Sequence, residues 1–158
     1  MRYADIIAND VVNGEGVSVS LFVQGCHKHC PGCFNSETWD FNGGKEIYSL
    51  DLLNQILNLL QANGIERNFS VLGGEPFVEE NLIEVATFIQ VIRDVHPNIK
   101  IWVWTGYTIE ELQAMNNSYV NEILDNINVL VDGPYIEAER DLSLPHCGSR
   151  NQRVIKLR

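Results

Sequence analysis

At 158 residues and 45% apolar content, the chain is long enough to bury one core and short for two ordinary domains. Twenty-one acidic against eleven basic side chains give a formal net charge of -10, which argues against a nucleic-acid binder, because phosphate neutralisation asks for a basic face. No apolar run approaches membrane-spanning length and no charged-then-apolar leader opens the chain, so a cytoplasmic single domain over 1–158, with reduced cysteines, is expected.

In chain order, Asp5-Ile6-Ile7-Ala8 predicts a short strand, and Asn13-Gly14-Glu15-Gly16 a turn, since glycine accepts backbone angles other residues resist. The apolar run from Val17 to Val23 predicts a strand that delivers the chain into Cys26-His27-Lys28-His29-Cys30-Pro31-Gly32-Cys33-Phe34-Asn35. Trp39 to Gly44 reads as loop, and Ser49 as the N-cap of a helix whose apolar positions are Leu52, Leu53, Ile56, Leu57, Leu59 and Leu60, stopped by Asn63-Gly64. Phe69 to Leu72 predicts a strand running into Gly73-Gly74-Glu75-Pro76. A helix over about 79–95 follows, ended by His96-Pro97-Asn98 because proline cannot continue the hydrogen-bond ladder.

A further strand over about 99–104 leads to Thr105-Gly106-Tyr107, and Thr108 with Glu111 forms the Thr-x-x-Glu pattern of a capping box. After a helical stretch over about 119–124, Val129-Leu130-Val131 predicts a strand into Asp132-Gly133-Pro134-Tyr135. From Arg140 onward five basic side chains face the single acid Asp141. This basic segment at about 140–158 reads either as a solvated terminus or as a docking or anion-binding segment. Strand alternating with helix predicts a mostly parallel sheet with right-handed crossovers. Every unusual loop then falls at the carboxyl end of a strand, the edge where parallel α/β proteins bind ligands.

The chemistry concentrates in Cys26, Cys30 and Cys33, three of the four cysteines within eight residues. CxxxCxxC without a nearby fourth cysteine suits a 4Fe-4S cluster held by three thiolates, with one iron open to a ligand. Zinc is an alternative, with His27, His29, His146 or Cys147 as a fourth donor, and so is a thioredoxin-like dithiol at Cys30 and Cys33. Gly73 and Gly74 remove side chains where a ligand approaches the backbone, and Glu75 adds an acceptor for a ligand ammonium. A plain tight turn with a solvated Glu is the competing reading.

The ordered set of motifs resembles the radical S-adenosylmethionine (SAM) superfamily, by Cys26-x3-Cys30-x2-Cys33 and Gly73-Gly74-Glu75-Pro76. Within it, the chain is most similar to the activating proteins of anaerobic (class III) ribonucleoside-triphosphate reductases. That choice rests on Asn13-Gly14-Glu15-Gly16, Phe22 to Cys26, Cys33-Phe34-Asn35 with Trp39, Trp102 to Tyr107, Val131 to Tyr135 and Gly148 to Arg153. Two departures stand out: the aromatic that many superfamily members place before the third cysteine is Gly32 here, with Phe34 after it, and the family's Gly-Pro-Gly turn is Gly14-Glu15-Gly16. Cys147 has no counterpart among the expected ligands.

The resemblance implies a shortened, incomplete (β/α) barrel. In it Cys26, Cys30 and Cys33 would hold one 4Fe-4S cluster, Gly73, Gly74 and Glu75 would orient the SAM ammonium, and Gly32 and Phe34 would lie along the adenine. The implied reaction cleaves SAM reductively to a 5'-deoxyadenosyl radical, which takes a hydrogen from a glycine of the reductase large subunit, with a one-electron donor such as flavodoxin. An activator of another glycyl-radical enzyme, such as pyruvate formate-lyase, and a non-enzymatic zinc or thiol adaptor are the alternatives. Trp102, Trp104 and Tyr107 read as core or pocket wall.

Overall fold

A computed structural model describes residues 1–158 as one seven-stranded sheet with helices against it. The strands are β1 Arg2–Asp10, β2 Ser18–Val23, β3 Lys45–Glu46, β4 Asn68–Gly73, β5 Ile101–Trp104, β6 Val129–Asp132 and β7 Arg153–Lys156. The α-helices are α1 Ser49–Leu60, α2 Glu79–Val95, α3 Ile109–Ala114 and α4 Ser118–Asn126. The sheet order is β3-β1-β2-β4-β5-β6-β7. Its four central strands, β2, β4, β5 and β6, are mutually parallel, while β1, β3 and β7 add antiparallel edges. The sheet does not close, because β3 and β7 are its two free ends. This is the incomplete barrel the motifs implied.

Side chains alternate across the central strands, and the alternation divides the interior into two unequal parts. Val19, Leu21, Val23, Phe69, Val71, Ile101, Val103 and Leu130 face the helices and join Leu52, Ile56, Ile89, Ile92 and Ile123 in one core. On the opposite face Trp102, Val129 and Val131 make a small cluster with Trp104 and Cys147. Loops cover that second face where helices cover the first, and the residues there are smaller or more polar, Ser18, Ser20 and Ser70 among them. No helix is long and apolar enough to cross a membrane.

Several expected elements differ in extent. β1 is nine residues long, because both its edges are paired, to β2 and to β3. Ser49, expected as an N-cap, is the first helical residue. Tyr48 takes the cap position without a side-chain bond, and the Ser49 hydroxyl donates to Glu84 instead. α1 stops at Leu60, and Asn63 (φ 58°) and Gly64 (φ 68°) make the left-handed turn after it. α2 has the bounds expected, and the Thr108–Glu111 capping box is formed in both directions. The C-terminal segment is not a free basic tail: β7 pairs with β6, and Arg153 is engaged by Asp132 (2.6 and 2.9 Å) and Glu110 (2.7 and 3.1 Å). A docking role for this segment therefore loses Arg153 and retains Arg150, which is exposed.

Candidate iron-sulfur and cofactor site

Because β2, β4, β5 and β6 run parallel, the loops after Val23, Gly73, Trp104 and Asp132 emerge along one edge. They surround a cavity of about 350 Å³. Cys26, Cys30, Cys33, Phe34, Gly73, Gly74 and Glu75 all line it, so seven of the eight expected site residues meet there. Gly32 is the eighth and does not. It turns with φ +77°, and the place its Cβ would take is filled by the Glu137 carboxylate, so it shapes the cysteine turn from behind.

The three cysteines are free, half-buried thiols. Burial pushes the Cys26 thiol up, while backbone N–H groups of Lys28 and His29 pull the other way by favouring the thiolate. The backbone N–H of Asn35 donates to Cys33 Sγ at 3.4 Å, the kind of bond that sets the potential of a sulfur-ligated cluster. The loop's own backbone bonds are few, and a side chain ties it to α2, His27 Nε2 lying 2.9 Å from Glu80 Oε1. Cys33 N–H donates to the Cys30 carbonyl (3.1 Å) and Cys26 N–H to that of Trp39 (3.2 Å), and the His27 and His29 rings lean on Phe41 and Trp39 at 4.4 and 4.6 Å. A 4Fe-4S cubane asks for one thiolate per iron at separate corners, and three free thiols lining one cavity fit that request.

The Gly73-Gly74-Glu75 loop is built differently. Gly74 N–H donates to the Val23 carbonyl (2.8 Å) and Glu75 N–H to that of Gly25 (2.9 Å), so the loop extends the β2–β4 pairing beside the cysteine loop. A Cβ on Gly74 would stand 2.5 Å from the Gly25 oxygen, and one on Gly73, whose own φ is +99°, would stand 2.9 Å from Phe22 Cα. The glycines are therefore required by the close approach of the chain's own backbone, whatever a ligand on the cavity side also asks of them.

Glu75, 2% exposed, is no solvated turn residue. Its Oε1 accepts from Phe77 N–H (3.1 Å) and Thr105 Oγ1 (2.8 Å), and its Oε2 from Gly106 N–H (2.8 Å). Burial pushes its carboxyl up, opposed by those three donors and by the charge of Lys28. Asn81 ties the arrangement to α2 by donating to the Gln24 and Glu75 carbonyls, both at 3.0 Å.

The loop after β6 is clamped from the C-terminal side. Gln152 donates to the Gly133 carbonyl (3.0 Å) and accepts from Gly148 N–H (2.8 Å), while Asn151 donates to the Pro134 carbonyl (2.7 Å). This explains Gly148 to Gln152 as a lock on Gly133 to Tyr135. Asp132 caps α3 by accepting from Ile109 N–H (2.7 Å). Phe34 packs against Tyr135 at 5.0 Å and stays half-exposed at the cavity mouth. Trp102 is buried core and Trp104 lines the cavity, its Nε1 donating to the His146 carbonyl at 2.9 Å. Cys147 also lines the cavity, and burial pushes its thiol up.

Sequence reasoning missed the roles of Thr105, Gly106 and Lys28. The first two sit in the Trp-Thr-Gly-Tyr motif, but their bond to a carboxylate thirty residues earlier is not a local signal.

A half-open α/β sheet with three clustered thiols at its carboxyl edge defines an iron-sulfur domain, and the 4Fe-4S single cluster domain family matches residues 12–155. The anaerobic ribonucleoside-triphosphate reductase-activating protein of Escherichia coli K12 is 40% identical over the full length of both chains. That of Haemophilus influenzae is 36% identical over 98% of this chain and 97% of its own, and that of Enterobacteria phage T4 is 31% identical over 98% and 93%. The chain belongs to the family of anaerobic ribonucleoside-triphosphate reductase-activating proteins.

Proposed function

We propose that this protein is a radical SAM activating enzyme for an anaerobic ribonucleoside-triphosphate reductase, working in the cytoplasm with a one-electron donor of the flavodoxin kind. The observation that carries the reading is the meeting of Cys26, Cys30 and Cys33 with Gly73, Gly74 and Glu75 around one cavity of about 350 Å³, a size suited to a nucleoside-containing small molecule. The three thiolates would hold the cluster. Glu75 would receive the SAM ammonium: three of its roughly four acceptor positions are filled by protein donors, which leaves one on Oε2 and fixes the direction in which it is offered. Phe34 would flank the adenine.

When bound and reduced, a 4Fe-4S cluster supplies one electron to the SAM sulfonium, giving methionine and a 5'-deoxyadenosyl radical that takes a hydrogen atom from a glycine Cα of the reductase. The chain's residues orient the cosubstrate and keep its amino-acid end away from bulk water. The cavity also opens at the surface beside exposed Val12 and Phe34, as a site whose hydrogen donor is another protein's backbone requires.

Anaerobic reconstitution with iron and sulfide, reduction, and measurement of 5'-deoxyadenosine from SAM test the reading. Cleavage that disappears in each of Cys26→Ala, Cys30→Ala and Cys33→Ala, and a glycyl radical signal when the reductase is added, are expected. A colourless protein that binds one zinc and leaves SAM intact would overturn it.

A further inference from the structure

Lys28 is the only lysine or arginine among the side chains that line the cavity. It stands between the first two cysteines, where a solvated loop cation would be unremarkable, yet it is half-buried and turned inward. Its stem lies in the notch left by Gly106: a Cβ there would come within 2.5 Å of Lys28 Cδ and 3.1 Å of Cε. Its Nζ rests 3.9 Å from the centroid of the Tyr107 ring, well inside cation–π range. Its charge acts on the Glu75 carboxylate at a distance, but Nζ makes no direct ion pair or hydrogen bond and rests on a ring face, so its N–H donors remain available to an anion.

On the same cavity wall lies Glu75, buried, with one acceptor position unfilled. A fixed anion and a fixed cation on one wall form a pattern complementary to a zwitterion. The amino-acid end of SAM is such a zwitterion, an ammonium and a carboxylate on one carbon.

We propose that Lys28 is the positioning residue for the α-carboxylate of SAM, paired with Glu75 at the ammonium. The inference rests on the SAM reading given above. Gly106 and Tyr107 have the supporting role of seating the Lys28 stem and its head. Lys28 consequently decides which sulfonium compounds are accepted, favouring those that keep the carboxylate.

The test uses reconstituted, reduced protein with two probes, SAM and its decarboxylated analogue, their binding measured by calorimetric titration alongside cleavage kinetics. Lys28→Met keeps the stem in the Gly106 notch and removes the charge. It is expected to weaken SAM binding about tenfold or more, the loss typical of a charge-assisted hydrogen bond, and to leave the affinity for the decarboxylated analogue within about twofold. Lys28→Arg is expected to recover most of the SAM affinity. Equal SAM binding by wild type and Lys28→Met would overturn the proposal, and so would equal losses for both probes, which would make Lys28 a structural latch only. If Lys28→Met loses its iron, Lys28→Gln enters the same comparison. Wild-type protein that neither binds nor cleaves SAM would instead bring down the functional reading itself.

Discussion

Two loops lie side by side at the cavity and are held in opposite ways. The Gly-Gly-Glu-Pro loop is buried, pairs its backbone with the strand beside it, and places a carboxylate under three donors. The cysteine loop has half-exposed thiols, few backbone bonds, and left-handed turns at His29 (φ 46°) and Gly32 (φ 77°). One loop is finished by its own backbone and buried hydrogen bonds, whereas the other has few backbone bonds and three free thiols, the state of a loop that metal–ligand bonds would complete. On the proposed function, the part that would receive the cosubstrate's amino-acid end is thus preformed, and the part that would hold the cluster is ordered beside it.

The largest effect should separate the two loops in cluster-free protein. Glu75→Ala leaves three buried donors without a partner and is expected to lower unfolding free energy by about 3 kcal/mol or more, read from urea unfolding. Cys30→Ser in the same cluster-free protein should stay within about 0.5 kcal/mol of wild type, while abolishing iron retention after reconstitution. If the cysteine substitution costs as much as the glutamate one, the cysteine loop is as preformed as its neighbour and the contrast fails.

Next in size is the glycine pair of contexts. Gly74→Ala pushes a methyl group against the Gly25 backbone, which has no side chain to yield, and is expected to cost about 2 kcal/mol. Gly64→Ala meets nothing within 4 Å and carries only the strain of φ +68°, about 1 kcal/mol. A Gly74→Ala protein as stable as Gly64→Ala would show that the two loops are not in contact as described.

The same division explains what could be read from the chain and what could not. Elements with a local signature were legible: α2 from its apolar period and the His96-Pro97 stop, the Thr108–Glu111 box, and the four strand-end loops that make the site. β7 was not, because Arg153-Val154-Ile155-Lys156 carries two apolar residues and becomes a strand only by pairing with β6. β3 is two exposed residues whose state depends on β1. Within the site, the cysteines and the glycine-glutamate loop announce themselves by spacing. The burial of Glu75 depends on Thr105 and Gly106, thirty residues away, and the seat of Lys28 on Gly106 and Tyr107, which no local pattern links to it.

The smallest effect contrasts Glu75 with a carboxylate at the sheet's far edge. Glu110 is exposed, and hydrogen bonding to Arg153 pulls its carboxyl down from the ordinary 4.5 to about 2. Its folded form therefore holds its proton less tightly than the unfolded chain, so the stability it adds is present above about 4.5 and is lost as pH falls toward 2. Glu75 has the opposite sign: burial raises its carboxyl, so its contribution turns unfavourable as pH climbs above the ordinary glutamate range. Urea midpoints of wild type and Glu110→Gln should accordingly differ most near pH 6 and converge toward pH 2. Added salt should shrink the gap, since the pair is screened by solvent. No gap at pH 6 would mean that Arg153 holds β7 through buried Asp132 alone, at 2.6 and 2.9 Å, and a gap that persists at pH 2 or ignores salt would mean that Glu110 contributes through something other than its charge.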